Sequence, residues 1–407
     1  MYPWRCIMTI KEYIEIKMPM TLHVKTEDDG MVFGLPRPYN APCADGMFQE
    51  MFYWDTYFTN RGHLAAGNVE QAKNNVDNLI YLANRFGFVL NASRREFLNN
   101  SQPPFLSDAV REVYAVTGDR EWLRGAYAAI ETEYKFWMES RTDETGLAHY
   151  DAIMPLPDWQ IDRGADMLIE RLGYTPECDR VTVARGLFSV GESGWDITPR
   201  FTYRTYDYIA IDLNCLIFSM EKNMAYFATE LGISADAEAW EGRAKLRAER
   251  CRALLRADDG IFYDYDKLTK GTKPLYPLYF GMATAEEAET VVKVLLPHIV
   301  TEWGVLTCDK SDEVGQFQWG YPNGWPPLQM IAVHGLIRYG YTAEAIAIAR
   351  GFVRTIERSF DETGHIWEKY NVVEGNANAA AEYETPTMLG WTYGAYVEFK
   401  KLLGEEI

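Results

Sequence analysis

Apolar residues recur at helical spacing through most of the chain from about Val69 onward. Ala72, Val76, Leu79, Ala83 and Phe86 share one face of a 3.6-residue period, and Gly87 supplies a natural stop. Leu123, Ala126, Ile130, Tyr134, Trp137 and Met138 repeat the pattern in the next long segment. The same spacing predicts amphipathic helices over roughly 213–231, 235–255, 285–296, 327–339, 343–358 and 390–403. Thr284 with Glu287 makes a capping box at the head of one of them. Strand signals are few and short. The fold class is therefore all-α.

A weak internal repeat refines this picture. Asp143-Glu144-Thr145-Gly146-Leu147, Ala257-Asp258-Asp259-Gly260-Ile261 and Asp361-Glu362-Thr363-Gly364-His365 each follow a long amphipathic helix. Each leads into an aromatic run: His149-Tyr150, Phe262-Tyr263 and Ile366-Trp367. The copies lie roughly a hundred residues apart, far more than one unit of a helical-hairpin solenoid. Equivalent exits from the inner helices of a closed toroid fit this interval. An open solenoid is the alternative, but it gives the loops no common mouth. No Pro/Gly/Ser linker divides residues 1–407, so one domain is expected, with 1–33 a leading segment that carries no usable pattern.

The loops carry the unusual residues. Six stretches, 45–58, 91–105, 154–163, 191–200, 316–328 and 366–391, are rich in Gly, Pro, Trp and carboxylates. Functional groups gather in loops held by a rigid scaffold. In Gly191-Glu192-Ser193-Gly194-Trp195-Asp196, two glycines, an indole and two carboxylates fall within six residues. An acid beside an aromatic surface is placed for a raised pKa and proton donation. A plain turn with a buried tryptophan is the simpler reading of that stretch by itself.

Composition narrows the partners. Lys and Arg total 40 against 59 Asp and Glu, a net charge of −19. Nucleic acid and anionic membrane both call for basic patches, so neither is expected. Twelve Trp and 26 Tyr beside many carboxylates suit a neutral polyhydroxylated ligand. The six cysteines are scattered without CxxC spacing and read as free thiols in a reducing compartment. The six histidines show no HExxH or HxxxH pattern, so neither metal nor other cofactor is expected. Residues 1–20 interrupt their apolar positions with Arg5, Lys11, Glu12, Glu15 and Lys17, which argues against a signal peptide or membrane span. A cytoplasmic location is the expectation. Nothing in the pattern specifies an oligomeric state.

Gly46-Met47-Phe48-Gln49-Glu50-Met51-Phe52-Tyr53-Trp54-Asp55-Thr56-Tyr57 resembles the first trehalase signature, GRF, any residue, then ExYxWDxY. Gln318-Trp319-Gly320-Tyr321-Pro322-Asn323-Gly324-Trp325-Pro326-Pro327-Leu328-Gln329 resembles the second, QWDxPNGWxPxQ. Asn91 to Arg94, Ser101-Gln102-Pro103-Pro104, Glu192 to Asp196 and Asp212-Leu213-Asn214 are similar to further segments, in the family's order. The resemblance, running from about 45 to 400, is to family 37 glycoside hydrolases. It implies an (α/α)6 barrel, or toroid, with long active-site loops at one end, and metal-free hydrolysis of an α-glucosidic bond with inversion. It places the general acid on Asp196 and the general base on Glu368 of Trp367-Glu368-Lys369-Tyr370. A further sugar-contacting acid falls on Glu382. Phe48, Trp54, Asp55, Asn91, Arg94, Gln102, Asp158, Gly194 and Trp319 are implied to bind the saccharide.

Inversion needs a protonated carboxyl on one face of the bond and a carboxylate activating water on the other, about 6.5–9.5 Å apart. Burial and neighbouring carboxylates, Glu192 among the candidates, are expected to raise the pKa of the acid. On an extended run adjacent side chains point oppositely, which leaves Lys369 no role beside Glu368. The departures from the family pattern concern recognition. Met47, Asn100 and Leu156 stand where trehalases carry arginines, and Gly320 replaces the Asp of QWD. Met and Leu cannot supply the forked donors of a guanidinium. Arg94, Arg163 and Arg200 are the available substitutes. Hydrolysis of α,α-trehalose is thus set beside hydrolysis of another small α-glucoside, a catalytically silent sugar binder and a purely structural toroid. Retention of both Asp196 and Glu368 argues against a silent binder, and the carboxylate-rich loops argue against a structural toroid.

Overall fold

The computed structural model describes residues 8–201, 203–266, 275–309, 317–379, 384–387 and 390–407. In chain order the helices begin with α1 (Ile10–Lys17), α2 (Tyr53–Ala65), α3 (Val69–Phe86), α4 (Leu106–Thr117), α5 (Arg120–Ser140), α6 (Asp158–Leu172), α7 (Arg180–Glu192) and α8 (Ile211–Leu231). They continue with α9 (Ser234–Leu255), α10 (Tyr276–Tyr279), α11 (Ala285–Val294), α12 (Leu296–Ile299), α13 (Pro326–Arg338), α14 (Thr342–Thr363) and α15 (Gly390–Leu403). Strands among the described residues are two-residue antiparallel pairs only.

Helices α2, α4, α8, α10, α13 and α15 form an inner ring in which each packs on the next and α15 returns to α2. Helices α3, α5, α9 and α14 pack outside it. The architecture is an (α/α)6 barrel. Burial follows this layering. Outer α3 buries the stripe Ala72, Val76, Leu79 and Ala83, whereas inner α8 is buried along nearly its whole length, as a helix covered on all sides must be. Ring closure between α15 and α2 depends on Gly62 and Gly394. A Cβ on Gly62 would lie 2.8 Å from the Gly394 Cα, and one on Gly394 would collide with the Phe58 carbonyl.

Local signals hold where the sequence states them. Gly87 ends α3 in the left-handed conformation, and Thr284 and Glu287 exchange both bonds of a capping box, a device worth about 1 kcal/mol. Two copies of the repeat are the same tight turn. Asp143 N–H bonds the Leu147 carbonyl and Ala257 N–H the Ile261 carbonyl, with bridges Thr142–Ala148 and Arg256–Phe262 closing each. The third copy differs, because Asp361, Glu362 and Thr363 are the last turn of α14 and Gly364 caps it.

Other expectations are corrected. Several stretches read as loops begin or end in helix: α2 starts at Tyr53, α6 at Asp158, α13 at Pro326, and α7 runs through Gly191 and Glu192. The leading segment also has structure. Thr9 and Glu12 form a capping box on α1, and Leu22–His23 pairs with Tyr39–Asn40. Helices α6 and α7 stand apart from the barrel layers, packing mainly on each other around Leu156, Ala165, Leu168, Val183, Ala184 and Phe188. No helix among the described residues is long and apolar enough to cross a membrane.

Candidate active site

All six special loops supply residues to one cavity of ≈490 Å3, for example Phe48, Asn91, Arg163, Gly194, Trp319 and Glu368. Its floor is tryptophan. Trp319 stacks on Trp325 at 4.0 Å with an interplanar angle of 3°, and Trp54 and Trp195 lie against Trp319 at 5.5 and 5.2 Å. Trp391 meets Trp54 and Trp325 edge-on. Such a rigid aromatic surface suits the apolar face of a sugar ring.

Asp196 enters the cavity from a tightly braced turn. Gly194 N–H bonds the Gly191 carbonyl, Trp195 N–H bonds the Ser193 Oγ, and Trp319 N–H bonds the Ile197 carbonyl. Gly194 has φ +74°, and a Cβ there would lie 2.7 Å from Trp54 Cζ2, so only glycine fits. Glu192 has a structural role of its own. It is fully buried, takes a bidentate pair from Arg141 at 2.8 and 3.0 Å, and accepts from the backbone of Ser101 and Asp151. Its charge is neutralised by Arg141, and its work is to hold three loops together.

Glu368 comes from a separate loop. Asn323–Gly324 pairs with Tyr370–Asn371, which ties the second tryptophan signature to the segment bearing Glu368. The Trp391 indole donates to the Glu368 carbonyl, and Glu368 N–H bonds the Pro386 carbonyl. The expectation for Lys369 is overturned. Its ammonium lies 2.6 Å from Glu368 Oε2 and 4.8 Å from the centre of the Trp325 ring, and the side chain is fully buried. The reason is local: the chain bends at Glu368 instead of running extended, so consecutive side chains converge.

Asp55 and Trp54 occupy the first turn of α2, buried beneath the cavity. Burial pushes the Asp55 carboxyl well above the usual carboxylate range, and the charges of Glu368 and Asp196 push it further. Gln102 Oε1 accepts from Trp54 N–H and so caps a helix whose N-cap, Phe52, has no side-chain acceptor. Asn91 donates to the Gly191 carbonyl at 2.9 Å, linking its loop to the end of α7. Phe48 holds φ +59°, a conformation costing about 1–3 kcal/mol for a bulky residue. It packs edge-on to Phe52 at the cavity wall.

The arginines divide. Arg94 lines the cavity and pairs with Glu50 and Glu96, and Arg163 lines it and pairs with Glu96 at 3.2 Å. Arg200, expected as a substitute, is instead buried between Asp212 and Asp264 with four bonds of 2.6–3.0 Å. Met47 and Asn100 do line the cavity, but Leu156 is buried in the α6–α7 core, where no arginine would fit unpaired. Asp158 begins α6 on an exposed face and is not part of the cavity wall. Glu382 lies outside the described residues.

Sequence reasoning missed the far wall. Met167 and Arg171 of α6 and Leu187 and Phe188 of α7 line the cavity. The spacing Arg163, Met167, Arg171 places all three on one helical face, a signal readable once the helix is known.

A sequence profile of the family described as Trehalase matches residues 11–163 and 179–404. The chain is 30% identical over 401 residues to the periplasmic trehalase of Pseudomonas aeruginosa, covering 91% of this chain and 72% of that protein. It is 31% identical over 418 residues to the periplasmic trehalase of Xanthomonas oryzae pv. oryzae, covering 95% and 72%. Among solved structures, the neutral trehalase of Saccharomyces cerevisiae superposes with a TM-score of 0.74 at 28% identity, over 89% of this chain and 73% of that one.

Proposed function

We propose, from the premise that this chain belongs to the trehalase family and is a glycoside hydrolase, that it cleaves an α-glucosidic bond with inversion. Asp196 is the general acid that protonates the glycosidic oxygen, and Glu368 is the general base that activates water. The observation that carries this reading is that these two carboxylates, distant in sequence, line one tryptophan-floored cavity from separate loops. A glucosyl ring on the tryptophan floor would lie beside both carboxylates. Lys369 keeps Glu368 oriented and charge-paired, and the buried Asp55 carboxyl lines the same pocket within the reach of a bound sugar. Phe48, Trp54, Asn91, Arg94, Gln102, Gly194 and Trp319 form the saccharide pocket directly or by bracing it.

Family membership supports α,α-trehalose as the substrate. A second reading, another small α-glucoside, is favoured by Met47 and Asn100, which line the cavity where the family signatures carry arginine. The five described cysteines are free thiols, which suits the cytoplasmic reading, although the bacterial relatives above are named periplasmic. Cell fractionation separates the two.

The test is proton NMR of the released sugar. Inversion of α,α-trehalose releases one β-glucose from the attacked ring and one α-glucose as the leaving group, whereas α-glucose alone would overturn the two-carboxylate assignment. Asp196→Asn should lower kcat by about 10³-fold while binding stays intact, and a loss under about tenfold would exclude Asp196 as the acid.

A further inference from the structure

Helix α6 sorts its charges. Asp158, Asp162, Asp166 and Glu170 face solvent, with Asp162 and Asp166 pairing to Arg180. Arg163 and Arg171, two turns apart with Met167 midway between them, face the cavity instead. In a chain with a net charge of −19, this wall is turned the other way.

The wall is not neutral. Besides Asp55, Asp196 and Glu368, the charged side chains lining the cavity are Arg94, Arg163 and Arg171 against Glu50 and Glu96, three positive to two negative. Glu50 and Glu96 are taken up by Arg94 and Arg163. Arg171 has no ion pair among the described residues, although it lines the cavity and is only partly exposed. Met167 and Arg171 also lie in 164–178, the interval between the two parts of the family match. This cation belongs to a stretch that the shared family pattern does not specify.

We infer that the leaving half of the substrate carries one negative charge, a carboxylate, received by Arg171 with Arg163 beside it. This rests on the glycosidase reading and on its second form, a small α-glucoside other than trehalose. A single uncompensated guanidinium matches a monoanion, and its planar fork matches a carboxylate. A phosphate ester carries nearly twice that charge and would leave the wall net negative. Phe97, Leu187 and Phe188 around the arginines offer apolar surface to a leaving group with fewer hydroxyls than glucose.

The experiment compares the glucoside 2-O-(α-D-glucopyranosyl)glycolate with its methyl ester, which differ by one charge. Wild type should cleave the acid with a kcat/KM higher by about tenfold or more, and Arg171→Gln should bring the ratio to within about twofold. Equal turnover of acid and ester, or a preference that survives Arg171→Gln, would overturn the proposal. Calorimetric binding of both compounds to the Asp196→Asn protein reads the same preference without turnover. No cleavage by wild type of either compound or of α,α-trehalose, together with tighter binding of the acid, would sink the hydrolysis reading while leaving Arg171 as the carboxylate contact. Tighter binding of α,α-trehalose 6-phosphate than of the glucosyl glycolate would assign a phosphate and overturn the carboxylate.

Discussion

Helix α2 carries an ionisable residue toward each end of the barrel, and the two are treated in opposite ways. Asp55, in its first turn, is buried under the cavity beside the carboxylates of Glu368 and Asp196. Arg61, about 9 Å further along the axis, sits where five of the six inner helices meet. It bonds Glu112 of α4 at 2.5 Å and both oxygens of Glu398 of α15, and it touches Tyr57, Tyr279 of α10 and His334 of α13. The sixth inner helix joins through Ser219 of α8, which donates to Asp108 of α4. At that end attraction to Arg61 holds Glu398 far below the usual carboxylate range despite its burial, while burial pushes Glu112, on the same guanidinium, up to about 7. At the cavity end the charges of Glu368 and Asp196 add to the burial that raises Asp55, and Lys369 is set against Glu368. One end is organised on a shared cation, the other on carboxylates that raise one another's affinity for a proton.

Three substitutions probe this contrast. The largest effect should come from Arg61→Met, which strands Glu398 and Glu112 and should cost about 3–5 kcal/mol of stability. Denaturant unfolding checks the loss, and the protein that remains folded should keep its kcat, since Arg61 is remote from the cavity. A fall in kcat with stability unchanged would break the division between the two ends. Lys369→Met comes next. A charge-assisted bond contributes about 1.5–3 kcal/mol, so kcat should fall about ten- to a hundredfold with KM little moved. A mainly raised KM would make Lys369 a sugar contact instead of a support for Glu368.

The third probe is a pH dependence away from both ends. Glu133 of α5, fully buried and accepting from the Tyr53 hydroxyl at 2.8 Å, is pushed up to about 8 by burial. The folded state therefore holds a proton that the unfolded chain releases near pH 4.5. The stability this contributes is complete below that value and is lost as pH rises toward 8. Glu133→Gln should flatten that fall, seen as a smaller difference in Tm between pH 5 and pH 8 than in wild type. An unchanged difference would place the titration elsewhere.

How much of this was legible depended on contrast along the chain. Outer helices such as α3 and α14 meet core on one side and solvent on the other, so their stripes stand out in the sequence. Inner α2 is buried on every side and carries Asp55, Asn60 and His63 among its aromatics, so it shows no helical period and its start reads as loop. Asp196, Glu368 and the tryptophan floor were reached through short ordered motifs. Lys369 was missed because a backbone bend, which no residue type announces, reverses the pointing rule. Arg200 was misplaced because a guanidinium reads the same whether it faces a cavity or two buried aspartates.

The α6–α7 hairpin has a further consequence for how such a protein diversifies. Its hydrophobic residues are satisfied within the hairpin, and its cavity-facing side chains project from a surface the barrel does not pack against. Mutations of its cavity-facing residues, such as Met167 and Arg171, reach a ligand without touching the inner ring. Descendants of one bond-breaking apparatus can thus come to differ in which molecules they accept, by drift and selection confined to one short excursion of the chain.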